Sequence, residues 1–168
     1  MALGLWLRFT TAAAADWVAG QRGMGVDMGA SERTAVEAVR QFWEEVWTRG
    51  QVEVLADIFH HDMTENGEPV AVGEFQRGVT TWREIFPDFS ATIEELLAIG
   101  DDRVVTRVAY RGTHRGTLWG LGATGTETEV VGIDLFRVQS GRIIELWHAV
   151  DHLQLVLQLG GTVVPKKS

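Results

Sequence analysis

Residues 127–150 read Glu127-Thr-Glu-Val-Val-Gly-Ile-Asp-Leu-Phe-Arg-Val-Gln-Ser-Gly-Arg-Ile-Ile-Glu-Leu-Trp-His-Ala-Val150. Apolar side chains alternate on both sides of Gln139-Ser140-Gly141, and the segment is rich in β-branched and aromatic residues. That is the signature of two antiparallel strands, Glu127–Gln139 and Arg142–Val150, joined by a tight turn. Upstream, Ser90–Ile99 and Arg103–His114 repeat the pattern around Gly100-Asp101-Asp102.

Before Pro87 the period is helical. Thr34-x-x-Glu37 has the form of a capping box, and Val36, Val39, Trp43 and Val46 then recur on one face until Gly50. Gln51–Phe59 reads as a short second helix. A polar loop follows, then a third helix over Gly73–Phe86 that Pro87 ends. Helices first and antiparallel strands after predict an α+β fold: a curved, mostly antiparallel sheet closed at one end, with helices on one face enclosing a pocket.

Composition removes many functions. The chain has 168 residues, 45% of them hydrophobic and 23% charged, in the range of one soluble domain. A net charge of −8 repels phosphate backbones, so nucleic acid is not an expected partner. With no cysteine there is no disulfide, thiolate metal site or cysteine nucleophile. Both lysines, Lys166 and Lys167, lie at the C-terminus, which argues against a buried Schiff-base lysine. No apolar run approaches the ~20 residues of a membrane-spanning helix, so the expected location is the cytoplasm. Seven Trp against one Tyr supply broad apolar walls suited to acyl chains and aromatic rings.

Residues 1–30 differ from the rest, being rich in Ala and Gly with Trp6 and Trp17 among them. Arg8 interrupts a stretch already too short for a secretory signal. The segment reads as an N-terminal extension, either an arm packed on the domain or a leader ahead of a later start. The domain proper is expected over 31–160, with a C-terminal tail over 161–168.

Asp134 is the leading candidate for chemistry. By alternation it shares a strand face with Gly132, Phe136 and Val138. A carboxylate facing a pocket can take a proton from carbon and return it to oxygen; the alternative is a solvated or Arg-paired Asp. A three-residue turn would set Asp134 opposite Leu146 with His148 diagonal, and a two-residue turn would set it opposite Trp147 with Glu145 beside it. Arg107, in mid-strand, is a candidate to hold Asp134 ionised or to stabilise an enolate, or simply a structural ion pair. His148 and His114 are candidates to orient the acid or shuttle protons, and His114 is otherwise a loop histidine. Glu65 and Asn66 precede the third helix and could reach the pocket mouth, and Trp43, Trp82, Trp119, Trp147 and Leu146 are candidate walls. His60-His61-Asp62 and His148…His152 lack a third ligand at fixed spacing, so no metal is expected. Gly120-Leu-Gly-Ala-Thr-Gly125 matches a dinucleotide fingerprint, but a strand follows where the motif needs a helix N-terminus.

Phe42-Trp-Glu-Glu-Val-Trp-Thr-Arg-Gly50, Phe86-Pro-Asp-Phe89, Arg111-Gly-Thr-His-Arg-Gly116, Ala123-Thr-Gly125, Gly132-Ile-Asp-Leu-Phe-Arg137 and Ser140-Gly-Arg-Ile-Ile-Glu-Leu-Trp147 stand in one order. Together they resemble SnoaL-like polyketide cyclases of the NTF2-like superfamily over about residues 34–160. The resemblance implies a cone-shaped α+β barrel, a homodimer, no cofactor, and a small polyketide-like substrate. It also implies an acid/base Asp at position 134 for intramolecular aldol closure. Many family members carry a His where Leu146 and Asn66 stand; a more apolar pocket suits conformationally guided cyclisation. Two other readings remain. One is epoxide opening of the limonene-epoxide-hydrolase type, with Asp134, Arg107 and Glu65 as its set. The other is a non-catalytic binding domain whose cavity is filled.

Overall fold

The computed structural model describes residues 29–162, so the extension before residue 29 and the tail after 162 lie outside the described residues. Helix α1 (Ala30–Gln41) runs without a break into a π-helix (Phe42–Thr48), where Arg49 N–H reaches back five residues to Glu44 O at 3.1 Å. The helix starts one turn before the capping-box position. Thr34 Oγ therefore donates back to Ala30 O (2.8 Å) instead of capping. Gly50, at φ +75°, ends the run.

A 3₁₀ turn (Val52–Val54) and a single-turn α2 (Leu55–Ile58) lead into strand β1 (Phe59–Glu65), which hairpins through Asn66-Gly67 to the two-residue β2 (Glu68–Pro69). The polar stretch expected to be a loop is therefore a hairpin. His60-His61-Asp62 masks the alternation, and β1 finds its partner some 80 residues on, in a parallel pairing with β6. Helix α3 (Val72–Ile85), strands β3 (Ser90–Ile99), β4 (Arg103–Thr113), β5 (Glu127–Gln139) and β6 (Arg142–Val150), and helix α4 (His152–Gln158) complete the chain. The sheet is six-stranded and mixed, in the order β2-β1-β6-β5-β4-β3, and is not closed: β2 and β3 are its edges. The architecture is α+β. No helix among the described residues is long and apolar enough to cross a membrane.

The β5–β6 hairpin corrects both expected registers. Its turn is Ser140-Gly141, both at positive φ (50° and 77°), pairing Gln139 with Arg142 and Val138 with Ile143. Ile144 is then an extra residue, because Arg137 pairs with Glu145. From there His148 stands directly opposite Asp134. Gly132, Asp134, Phe136 and Val138 turn inward, where Val39, Phe42, Trp43 and Val46 of the first helix join them in one core.

Candidate active site

Asp134 is fully buried on the inner face of β5. A carboxylate only accepts, and both oxygens are occupied. Tyr110 Oη donates to Oδ2 at 3.0 Å, and His148 Nδ1–H donates to Oδ1 at 2.5 Å. Burial, reinforced by the Asp134 charge, raises the Tyr110 pKa far above its ordinary value, so the phenol stays a donor. Tyr110 crosses β5 over Gly132: a Cβ there would lie 2.6 Å from the Tyr110 ring and 3.0 Å from its hydroxyl. Asn66, at φ +50° in the β1–β2 turn, accepts the His148 backbone N–H (2.9 Å) and donates its own to Leu146 O (2.8 Å). Asn66 therefore fixes the backbone that carries His148.

Beside this group lies a small cavity of about 90 Å³ with an open mouth. Its walls are aromatic, with Trp43, Trp47, Trp82 and Phe89 contributing, and its polar lining comes from His148, His152 and Tyr110. Asp134 does not line it. The His148 imidazole stands between the carboxylate and the cavity, and its Nε2 has no hydrogen-bond partner among the described residues. With Nδ1 protonated and held by Asp134, Nε2 is the basic nitrogen, the arrangement that fits imidazole for proton transfer. Glu65 is half-buried on β1 near both groups. Burial raises its pKa most, the Asp134 charge adds to this, and His148 opposes it. His152, at the exposed rim, has a pKa lowered first by burial and then by His148; the Trp119 ring meets it edge-on at 5.2 Å.

The remaining candidates separate. Arg107 lies on the outer face, half-exposed, bound to Glu94 and to Glu95 (3.0 Å), so the expected partnership with Asp134 does not form. Its register partner is Ile133, not Asp134, and a one-residue offset in a strand is a change of face. Trp147 is likewise outside, 46% exposed and donating to Glu145 at 2.7 Å, while Leu146 is core. Trp119 is mostly exposed at φ +49°, in a turn closed by the Leu118–Leu121 bridge. His114 is buried against Phe86, its Nδ1 accepting Thr124 N–H at 3.3 Å; it does not line the cavity. His60, His61 and Asp62 bring one ligand atom each within 4.8 Å of one another on β1, away from the cavity lining. Sequence reasoning missed Tyr110, Trp47, Phe89 and His152. Tyr110 had a usable signal, as the only tyrosine, on a strand able to pass over the bare backbone of Gly132.

A family model described as SnoaL-like polyketide cyclase matches residues 37–159. The solved structure of IdmH, a proposed polyketide cyclase from Streptomyces antibioticus, is 26% identical with a TM-score of 0.67, over 75% of this chain and 98% of that one. A proposed polyketide cyclase from Acidithiobacillus ferrooxidans is 26% identical with a TM-score of 0.68, over 82% and 98%. AclR, a proposed hydroxylase from Streptomyces galilaeus, shares the fold at 20% identity and a TM-score of 0.66, over 84% and 91%. No curated protein matches the chain.

Proposed function

Because this chain belongs to the SnoaL-like polyketide cyclase family, we propose that it closes a ring in a polyketide-like small molecule by acid/base chemistry, with His148 as the proton-transfer group. The supporting observation is the His148 imidazole, held at Nδ1 by buried Asp134 and bordering the aromatic cavity. In an intramolecular aldol closure, His148 Nε2 takes a proton from the carbon α to a carbonyl. The Asp134 carboxylate stabilises the imidazolium so formed. The enolate carbon bonds to a second carbonyl carbon of the same chain, and the resulting alkoxide takes the proton back from Nε2. Asp134 thus acts through the histidine rather than on carbon, with no cofactor in the cycle. The aromatic walls hold the flexible chain in a reactive conformer, an effect worth up to ~7–11 kcal/mol in favourable cases.

The epoxide-opening reading loses its arginine, since Arg107 and its two acids are on the outer face. The filled-cavity reading is disfavoured by the open volume beside His148. Self-association is part of the proposal: Leu97, Val105, Leu135 and Trp147 pair in register across four strands of the outer face, beside exposed Ile133. A homodimer through that face would cover them.

The test is α-hydrogen exchange of 2-tetralone in D₂O, followed by NMR. The wild-type protein is expected to exceed His148→Gln by about 10²–10⁴-fold. Equal rates overturn the assignment.

A further inference from the structure

We propose that the indole N–H of Trp47 is a ligand-binding donor that takes a carbonyl oxygen of a planar, largely apolar molecule in the aromatic cavity. The inference relies on the proposed function only in taking this cavity as the substrate site. Two buried side-chain polar atoms have no partner among the described residues, Trp47 Nε1 and His114 Nε2, and of these residues only Trp47 lines the cavity. A buried donor left unpaired is costly, and a phenylalanine would build the same wall without that cost. Trp43, one π-helical turn earlier, has already spent its N–H on Thr106 Oγ1 at 3.2 Å. Of the three indoles in the wall, Trp82 also leaves its N–H without a partner among the described residues, but only the Trp47 nitrogen is both unpaired and buried.

The backbone that carries Trp47 is fixed from three sides. Arg83 Nη1 donates to Trp47 O (2.7 Å), Thr48 O (3.1 Å) and Phe89 O (3.2 Å). Thr48 Oγ donates to Ala91 O (3.2 Å) and accepts Ala91 N–H (3.0 Å), stapling the end of the π-helix to β3. π-Helical turns are rare and recur at functional positions, because the wider turn re-aims side chains. A donor held this way loses little freedom when a ligand takes it. Trp47 meets Phe89 at 5.6 Å, Phe89 stacks on Tyr110 at 6.0 Å, and Tyr110 meets His148 at 6.4 Å. Trp47 and His148 are thus separate polar points along one aromatic wall. A ligand that satisfies both carries one carbonyl away from its reacting carbon.

The experiment compares 2-tetralone with tetralin, the hydrocarbon of the same shape, by ¹H–¹⁵N spectra and by binding titration. The Trp47 indole resonance, assigned by its loss in Trp47→Phe, is expected to move downfield with 2-tetralone and to stay with tetralin. Trp47→Phe is expected to weaken 2-tetralone about 3–10-fold while tetralin changes less than about twofold. Equal loss for both ligands, equal movement of the resonance, or no binding of 2-tetralone to the wild type overturns the proposal. If Trp47→Phe fails to fold, the resonance is assigned in the wild type by its NOEs to the Phe89 ring, 5.6 Å away, and the wild-type spectra decide. Selective binding with no 2-tetralone exchange supports the Trp47 donor and refutes the His148 assignment.

Discussion

Asp134 and His148 face each other across β5 and β6 because one extra residue, Ile144, interrupts the pairing between them and the hairpin turn. Without that bulge the two-residue turn would set Trp147 opposite Asp134. The bulge returns His148 to the inner face and sends Trp147 outward, where it donates to Glu145.

The dyad makes the carboxylate indispensable although it does not touch the cavity. Asp134→Asn keeps the volume and removes the charge that stabilises the imidazolium. 2-Tetralone exchange is expected to fall about 10²–10⁴-fold with the fold intact by circular dichroism. Activity within a few-fold of wild type would mean that His148 works without its partner.

Gly132 is a packing requirement of the same group. An added Cβ would lie 2.6 Å from the Tyr110 ring and 2.9 Å from Val150 Cγ2. Gly132→Ala is expected to cost about 1–3 kcal/mol in urea unfolding and to slow exchange, because Tyr110 must leave Asp134. A change below about 0.5 kcal/mol would show that the ring moves freely.

Glu65 gives a pH signature. Its pKa is raised from 4.5, chiefly by burial, so the folded chain holds this proton more tightly than the unfolded chain does. The cost of ionising it is absent in acid and appears as pH rises above the ordinary carboxylate value. Glu65→Gln is therefore expected to match wild type in melting temperature near pH 4 and to exceed it at pH 7. A difference independent of pH contradicts the burial of Glu65.

Arg107 is expected to be dispensable. It pairs with Glu94 and Glu95 on the outer face, and exposed pairs contribute about 0–1 kcal/mol. Arg107→Gln should leave 2-tetralone exchange within about twofold. A large loss would restore the arginine to the mechanism.

What the amino-acid pattern reveals divides along local and non-local lines. β3 to β6 and the first and third helices announce themselves by period, and the inward set Gly132, Asp134, Phe136 and Val138 follows from alternation. β1 is hidden because its pairing is parallel and distant, and β2 is only two residues long. Asp134 was legible as a buried acid. Its register partner was not, because no turn rule announces the Ile144 bulge. Trp43 is legible in the helical pattern and Trp47 is not, and which indole N–H finds a partner depends on Thr106, 63 residues after Trp43.

The most direct measurement is the imidazole ¹⁵N spectrum of His148, assigned by its loss in His148→Gln. At neutral pH, with 2-naphthol as an enol mimic, Nδ1 is expected to carry the proton and Nε2 to be the unprotonated nitrogen whose resonance moves on binding. A proton resident on Nε2 with Nδ1 bare, or an Nε2 resonance indifferent to a bound ligand, contradicts the His148–Asp134 dyad as the proton-transfer group.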